Sequence, residues 1–318
     1  MPQKTIFAAF ALLLPLAGTA VANHGPGTSG GGSATTSGET LAPGAWELSL
    51  REDYTNFENV DRANAERRAI RAGGFDAIQE SYITTLGLSY GIVDDLQISA
   101  AIGYYRGNGF ISAAADGGIA NSSTADPEGL TDLTLQLKYR ILQGKPGNLS
   151  IIGGLIVPTG KDNVHLASGE TLEPSSQPGT GAFAFQCGLA YSRFLTSHMT
   201  IDASAIYTLR IGHNNFEVGD RLDLGVALAY RLTDSIKQFP NYSLFGELNG
   251  VWLGKDVGAE GANSNSGGWT VYLTPGARVR FNEAVSLTVA PSFPIYQDLN
   301  GEQIEARFKL AATLSFAF

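Results

Sequence analysis

Charged residues alternate with apolar residues in several segments, and the alternation predicts a polar face on an extended chain. Lys138 and Arg140, for example, fall opposite Leu135 and Leu137, because successive side chains of a strand point to opposite faces. Such a face suits a network of ion pairs or the wall of a water-filled passage, whose charge tunes ion selectivity. The residues that we assign to it are Arg51, Lys138, Arg140, Arg210, Arg221, Arg231, Arg278, Arg280, Arg307, Lys309, Glu47, Asp132, Asp202, Asp223, Glu247 and Glu305.

Cations outnumber anions on this polar face, although the whole chain carries a formal charge of −9. Two interpretations stay open. Either the charges pair across neighbouring strands and fill the interior, or they leave a positive wall that favours anions. Reversal potentials in a salt gradient separate the two, because a preference for cations would exclude the second.

The same face carries three apolar side chains, Ile206, Phe245 and Tyr272, which we predict as contacts for an apolar guest. Small residues on this face leave volume for a guest, or else they ease the bending of strands. They are Ser99, Gly103, Ser150, Gly154, Gly188, Ser204, Gly225 and Gly276.

Catalytic chemistry has little support in the sequence. The four histidines are His24, His165, His198 and His213, and none falls on a strand face together with a serine, as a membrane-interface hydrolase would need. No Cys or His cluster has metal-ligand spacing. The chain is therefore predicted not to be an enzyme and to need no metal or cofactor, with an outer-membrane hydrolase as the less favoured alternative.

Twelve alternating segments, separated by breaks, must position these residues. They are predicted as strands near residues 45–54, 79–90, 96–106, 130–140, 148–157, 182–193, 199–211, 218–231, 242–253, 268–280, 285–296 and 304–318.

Strand length favours a membrane barrel over a soluble sandwich. A tilted strand of about 12 residues rises roughly 28 to 33 Å, enough to cross an outer-membrane apolar band of about 25 Å. Short breaks alternate with long ones, as periplasmic turns alternate with extracellular loops. Aromatic residues where strands reach the short turns predict an interfacial girdle: Tyr90, Tyr139, Tyr191, Tyr230, Phe281 and Phe318. The predicted fold is an all-β, antiparallel, up-and-down transmembrane barrel.

The N-terminus predicts export. Residues 1–22 read as a signal peptide, with Lys4 before an apolar run and a small-x-small site that ends at Ala22. Residues 23–43 are rich in Gly, Ser and Thr and predict a flexible linker that buries nothing. Residues 44–318 are predicted to form the barrel. The net negative charge of the chain argues against a nucleic-acid-binding protein, which would need a basic surface.

The runs GLTDLTLQLKYRIL and GGLIVPTGKD, most specific across residues 129–162, resemble the signature of the outer-membrane family of meta-pathway phenol degradation proteins, also called transporters. LSYGIVDDLQISAAIGYY is similar to the preceding hairpin of that family. The resemblance implies a barrel that admits aromatic or other hydrophobic small molecules, and it implies no catalytic residues. The terminal Phe318 resembles the last residue of strands that barrel assembly machinery reads.

The sequence therefore predicts an outer-membrane, porin-like channel for passive uptake of small molecules, with lipid, the assembly machinery and a solute as partners. A structural or adhesive barrel without an open pore is the alternative. Two long loops, 55–78 and 158–181, are candidates for gating. The first contains a potential short helix that stops at Gly73–Gly74, although such a run of charges is more often a solvated surface loop.

Overall fold

A computed structural model describes residues 31–318, and most of that chain is antiparallel strand. Twelve long strands form the wall of one barrel, in agreement with the predicted number. They are β1 (Trp46–Phe57), β2 (Glu80–Val93), β3 (Leu96–Asn108), β4 (Leu133–Leu142), β5 (Asn148–Val157), β6 (Ala184–Phe194), β7 (Met199–Arg210), β8 (Arg221–Arg231), β9 (Asn241–Leu253), β10 (Gly268–Arg280), β11 (Val285–Leu299) and β12 (Ala306–Ala317).

Each barrel strand pairs with its neighbours in the chain, and the first strand pairs with the last. In the closing register Glu47 of β1 faces Ala317 of β12. The backbone N–H of Trp46 donates to the oxygen of Phe318 at 2.7 Å, and the N–H of Phe318 donates to Trp46 at 3.0 Å. The sheet therefore has no free edge at this seam, which is the condition for a strand structure in lipid.

The burial pattern is the inverse of that in a soluble protein. Leu137 is 50% exposed, whereas the adjacent Lys138 is 5% exposed. Ser150 and Asp202 are completely buried in the interior. Apolar side chains thus cover the outside of the barrel and polar ones line the inside, which confirms the predicted transmembrane barrel. Within residues 31–318, no helix has the length and apolar character to cross a bilayer.

Connections of different length emerge at the two ends of the barrel. At one end, five connections, here called the short turns, cover residues 94–95, 143–147, 195–198, 232–240 and 281–284. At the other end, six loops, most of them longer, cover residues 58–79, 109–132, 158–183, 211–220, 254–267 and 300–305. Exposed aromatic residues lie near the short turns, among them Tyr139, Tyr230 and Phe318. The predicted girdle is therefore present at that end.

Two of the long loops fold together into a cap over the barrel mouth. Helix α1 (Arg62–Ala72) begins at Asp61, whose side chain accepts the N–H of Asn64, and ends at Gly73 in the left-handed conformation. The helix packs on a three-stranded sheet of residues Gly74–Ala77, Phe110–Asp116 and Ile119–Ala125. The potential helix in loop 55–78 is thus formed. Shorter elements elsewhere in the loops are strands at Glu128–Leu130, Val257–Gly258 and Gly261–Ala262 and a single helical turn at Pro174–Ser176.

The cap has an apolar core of its own. Phe75 and Ile78 are fully buried, Phe110 is 1% exposed, and Ile304 and Tyr272 belong to the same cluster. Because Tyr272 lies on the inner face of β10, the core of the cap continues directly into the upper lumen. The loop end is therefore covered by packed side chains.

Candidate functional site

The segment of residues 31–43, here called the plug segment, runs through the barrel lumen. Ser33, Thr35, Thr36 and Ser37 are 0 to 3% exposed. The sequence predicted a linker that buries nothing, and this is wrong for these residues. These residues are buried because the barrel wall supplies hydrogen-bond partners for their backbone groups, so burial needs no apolar side chains. The rest of the predicted linker, and the signal peptide, lie outside the described residues.

Glu247 is the main anchor of the plug segment. This carboxylate on β9 is 1% exposed and accepts the backbone N–H groups of Ser33 at 2.8 Å, Ala34 at 3.1 Å and Thr35 at 2.5 Å. It also accepts the hydroxyl of Thr35 and the side-chain amide of Asn249. Several donors converging on one anion form a nest, in which a buried carboxylate is well solvated by the protein.

Three predicted pore-lining cations hold carbonyl groups of the same segment. Arg51 donates to the oxygen of Ser33 at 2.8 Å, and Lys138 donates to that of Ser37 at 3.2 Å. Arg278 donates to the oxygens of Gly31 and Gly32. Part of the positive charge on the inner wall therefore serves to bind the plug segment.

The lower part of the plug segment contacts wall strands near the short-turn end. The N–H of Gly38 donates to the Ser192 hydroxyl at 2.7 Å, and the Ser150 hydroxyl donates to the oxygen of Gly38 at 2.6 Å. Further along, the N–H of Leu41 donates to Gln97 at 3.1 Å. The segment thus blocks the half of the lumen that faces the short turns.

Small residues in the wall make room for this segment. A Cβ atom on Gly225 would lie 2.4 Å from the Thr35 hydroxyl oxygen, and the Ser204 hydroxyl accepts the N–H of Thr36. The sequence interpreted such positions as space for a guest or as aids to strand bending. At Ser150, Ser204 and Gly225 the space is filled by the chain itself.

An open cavity of about 130 Å³ remains between the plug segment and the cap. Its apolar lining includes Ile206 and Tyr272, two of the three predicted ligand contacts. The Lys309 ammonium lies 4.2 Å from the centroid of the Tyr272 ring. Ser33 and Ala34 form its floor.

Charges in the cavity wall are largely paired within single strands. Arg51 binds Asp53 through two contacts of 2.6 and 2.7 Å, and Arg221 binds Asp223 through two contacts of 2.6 Å. Lys309 has no carboxylate within ion-pair distance among residues 31–318. This ammonium is therefore the lining cation that remains for an incoming anion or aromatic ring.

A smaller cavity of about 70 Å³ lies beside the first, beneath loop 158–183. The Asp132 carboxylate fixes this loop, since it accepts the N–H of Gly160 and both the N–H and the hydroxyl of Thr180, each at 2.9 Å. Arg210 and Arg221 line the cavity. The loop that was a candidate for gating therefore folds inward against the wall.

Other predicted site residues lie away from the cavities. Arg140 binds Asp95 and the oxygen of Asp94 in a short turn, and Arg280 stacks over Phe239 at 5.4 Å near another short turn. Arg307 is exposed at an irregularity in the β1–β12 pairing.

Phe245 is buried, but it packs with Ala229, Ala290 and Ala311 below the cavity instead of lining it. Sequence reasoning missed Ser33 and Ala34 as the floor of the cavity and Asp53 as the partner of Arg51. Lys309 was assigned to the polar face, but alternation alone could not show that it would be left without a carboxylate.

No group of three or more potential metal ligands occurs among residues 31–318. The interior is thus an arrangement of hydrogen bonds, ion pairs and a partly apolar cavity, with the geometry of a closed passage.

The family model described as "Putative MetA-pathway of phenol degradation" matches residues 62–293. The chain belongs to this family. The resemblance found in residues 129–162 is thereby confirmed. No curated protein matches the sequence.

Solved structures share the fold. The COG4313 outer membrane channel from Pseudomonas putida F1 is 16% identical, with a TM-score of 0.62, and the match covers 88% of this chain and 97% of that one. The CymD monoaromatic hydrocarbon channel is 11% identical with a TM-score of 0.41, covering 87% and 88%. The translocator domain of NalP from Neisseria meningitidis is 13% identical with a TM-score of 0.49, covering 87% and 90%. The first of these supports the assignment of an outer-membrane barrel.

Proposed function

We propose that the protein is an outer-membrane channel for passive uptake of small apolar molecules, with monocyclic aromatic compounds as the substrate class. The observation that carries the proposal is the cavity between the plug segment and the cap. Ile206 and Tyr272 offer apolar surface there, and Lys309 and the two arginine–carboxylate pairs offer hydrogen-bond donors and acceptors. A mixed lining of this kind suits a phenol, which has an apolar ring and one hydroxyl group.

Passage requires the plug segment to move. Hydrogen bonds hold it to the wall, and the described part contains no covalent link between them, since the single cysteine, Cys187, is free. Because each bond contributes on the order of 1 kcal/mol net, partial release of the segment is accessible at ambient temperature. We infer an equilibrium between a closed state, described above, and an open state with a displaced segment.

The test is saturable uptake in proteoliposomes and in intact cells, with a panel of phenols and with sugars of similar size. We expect uptake of phenols to saturate and to fall severalfold in Tyr272→Ala. The matched control is Tyr230→Ala, because Tyr230 is 49% exposed on the outer surface. Equal uptake of phenols and sugars, or equal rates in the two variants, would contradict the proposed substrate class.

A second candidate function is a structural or adhesive barrel without an open pore. The filled lower lumen and the packed cap favour it. It predicts no conductance above background and no solute uptake, even after removal of the plug segment.

We further propose that the barrel resides in the outer membrane, in contact with lipid along its apolar exterior, and that assembly machinery reads the strand that ends at Phe318. The 71% exposure of Phe318 supports this, because the side chain is available to a partner. Deletion of Phe318 should lower the amount of folded barrel in the outer membrane fraction, whereas uptake per folded barrel should not change.

A further inference from the structure

One side of the barrel carries charged side chains on its outer surface. Three buried residues fix the orientation of the strands there: Thr55 of β1, Ile83 of β2 and Tyr105 of β3. Alternation places their immediate neighbours along each strand on the lipid-facing side of the wall. Toward the loop end, the outward residues of these strands form what is here called the outer patch. Its members are Glu52, Tyr54, Asn56, Glu80, Tyr82, Thr84, Tyr104, Arg106 and Asn108.

The members of the outer patch are neighbours across the three strands. Tyr82 pairs with Tyr54 on one side and with Arg106 on the other. One row lower, Thr84 pairs with Glu52 and with Tyr104. The ring centroids of Tyr54 and Tyr82 lie 5.0 Å apart. The outer patch is therefore one compact surface.

Hydroxyl groups hold the two carboxylates of the outer patch in place. Glu80 accepts the hydroxyl of Tyr54 at 2.9 Å and that of Tyr82 at 3.1 Å, and Glu52 accepts the hydroxyl of Thr84. Neither carboxylate forms an ion pair within residues 31–318. Because an ionised carboxylate has about four lone-pair sites, both can accept further hydrogen bonds from outside the protein.

The cation of the outer patch has no ionic partner either. The Arg106 guanidinium lies 5.3 Å from the centroid of the Tyr82 ring. No carboxylate of the described chain lies within ion-pair distance of it, and the side chain is exposed. A guanidinium in this state presents a planar fork of N–H donors that suits a phosphate group.

The outer patch begins low in the apolar band. Trp46, whose ring packs on that of Tyr90 in the aromatic girdle, lies six residues before Glu52. For a strand tilted by about 40° this is a rise of about 15 Å. Across the barrel, the outward residues of β9 carry no charge from Tyr242 to Trp252, a rise of about 25 Å. The apolar surface is thus about 10 Å shorter at the outer patch, and lipid must adapt to it.

Lipid headgroups can reach these charges from the loop end. Charged groups that face hydrocarbon are costly unless water or headgroups solvate them. Asn56 and Asn108 continue the polar surface from the carboxylates up to the loops. A headgroup can therefore descend along the outer patch without crossing apolar side chains.

The chemistry of the outer patch selects the kind of headgroup. A phosphorylated sugar brings an anion for Arg106, hydroxyl donors for Glu52 and Glu80, and a ring that can lie on Tyr104, which is 46% exposed. A second copy of the chain fits less well, because a dry interface would press two net negative surfaces together. Water and counter-ions remain in the headgroup region and screen the carboxylates.

We propose that the outer patch binds the phosphorylated sugar headgroup of a glycolipid in the leaflet on the loop side of the membrane. Arg106 donates to a phosphate, and Glu52 and Glu80 accept sugar hydroxyls. The Tyr104 ring packs on the sugar. This binding is independent of solute passage, since it takes place on the outer surface of the wall.

The experiment measures lipid binding to the purified full chain in detergent by native mass spectrometry. The two probes are lipid A with two phosphates and the same lipid A after enzymatic removal of both phosphates. The test variants are Arg106→Ala and Arg106→Lys. The matched control is Arg193→Ala, because Arg193 is exposed on β6 beside a short turn, at the other end of the wall. The heat-dependent shift in electrophoretic mobility shows that each variant is a folded barrel.

The unsubstituted protein is expected to bind the phosphorylated lipid at least about fivefold more tightly than the dephosphorylated one, as one or two charge-assisted hydrogen bonds would give. Arg106→Ala should abolish this preference, Arg106→Lys should retain part of it, and Arg193→Ala should retain all of it. Glu52→Ala should weaken both lipids by a similar factor, since both carry hydroxyl groups.

Two results would overturn the proposal. The first is an equal preference for the phosphorylated lipid in Arg106→Ala and Arg193→Ala, or no preference in the unsubstituted protein. The second is a dimer in the spectra that Arg106→Ala abolishes, because the outer patch would then bind a second copy of the chain.

Discussion

The Glu247 carboxylate accepts the backbone N–H of Ser33 at 2.8 Å, although the two residues are separated by 214 positions in the chain. The contact ties the segment that precedes the barrel to the middle of its wall. One buried anion thus holds three consecutive backbone N–H groups of the plug segment, because the adjacent Ala34 and Thr35 use the same carboxylate. The conductance of the barrel should depend on this one side chain.

Replacement of Glu247 by Gln should release the plug segment. The amide presents its own donors to the N–H groups of Ser33 and Thr35 and lacks the negative charge that charge-assisted bonds need. We expect single-channel conductance to increase at least about twofold in planar bilayers, since the lower lumen opens. Glu260→Gln is the control, because Glu260 is exposed in the loop of residues 254–267. Conductance equal to that of the unsubstituted protein would contradict an anchoring role.

Replacement of Gly38 by Ala should displace the plug segment by steric conflict. The new Cβ would lie 2.4 Å from the oxygen of Asn148 and 2.8 Å from that of Ala190, and both are backbone atoms of a rigid sheet. We expect a higher conductance or more frequent open events in single-channel recordings. Gly153→Ala is the matched control, because nothing lies within 4 Å of its Cβ position. An equal response of the two variants would show that the segment accommodates the methyl group.

Replacement of Lys309 by Gln should reduce any preference of the channel for anions. Arg51 and Arg221 are neutralised by Asp53 and Asp223, so removal of the Lys309 charge changes the net charge at the cavity most directly. Reversal potentials in a salt gradient should shift toward cations. Replacement of Lys237, which is exposed in the short turn of residues 232–240, serves as control. A shift of the same size in both variants would contradict the assignment.

The cap should become less stable as pH rises. Burial raises the pKa of Asp76, in the strand Gly74–Ala77, from 3.8 to about 7. The folded cap therefore holds the proton while the unfolded chain loses it, so stability is greatest below pH 3.8 and falls until about pH 7. The full effect is at most about 4 kcal/mol. The protection factors of helix α1 amides, which are corrected for the base-catalysed intrinsic exchange rate, should fall over this interval.

Asp76→Asn should remove this pH dependence, because the amide does not titrate. Asp116→Asn is the control, since Asp116 is exposed in the same sheet. If the protection factors of helix α1 in the Asp76→Asn variant still fall between these pH values, another group is responsible.

The alternation of apolar and polar residues was sufficient to predict the barrel, its strand number and its polar interior. Each strand carries the signal locally, as Leu137 and Lys138 show. The plug segment could not be predicted in this way, because Ser33 to Gly38 have neither periodicity nor apolar content. Their burial depends on wall residues far away in the chain, such as Glu247 for Ser33 and Ser192 for Gly38.

The pairing of β11 with β12 ends at Ser292 and Lys309, before the loop ends of the two strands. This early end has a partial signal in the sequence. Pro291 and Pro294 stand in a segment that otherwise reads as a strand, and proline within such a segment indicates an edge or a bulge. The neighbouring irregularity at Asn56/Phe57 has no comparable signal. The residue at which β11 and β12 stop pairing depends also on their registers with β10 and β1, and local sequence patterns do not contain this information.

Closure of the barrel depends on the pairing of Trp46 with Phe318. The barrel closes only when the segment that ends at Phe318 pairs with β1, and the plug segment leads directly into β1. The peptide therefore need not be threaded through a finished tube. The strands can pair around the plug segment, and the pairing of β12 with β1 encloses it.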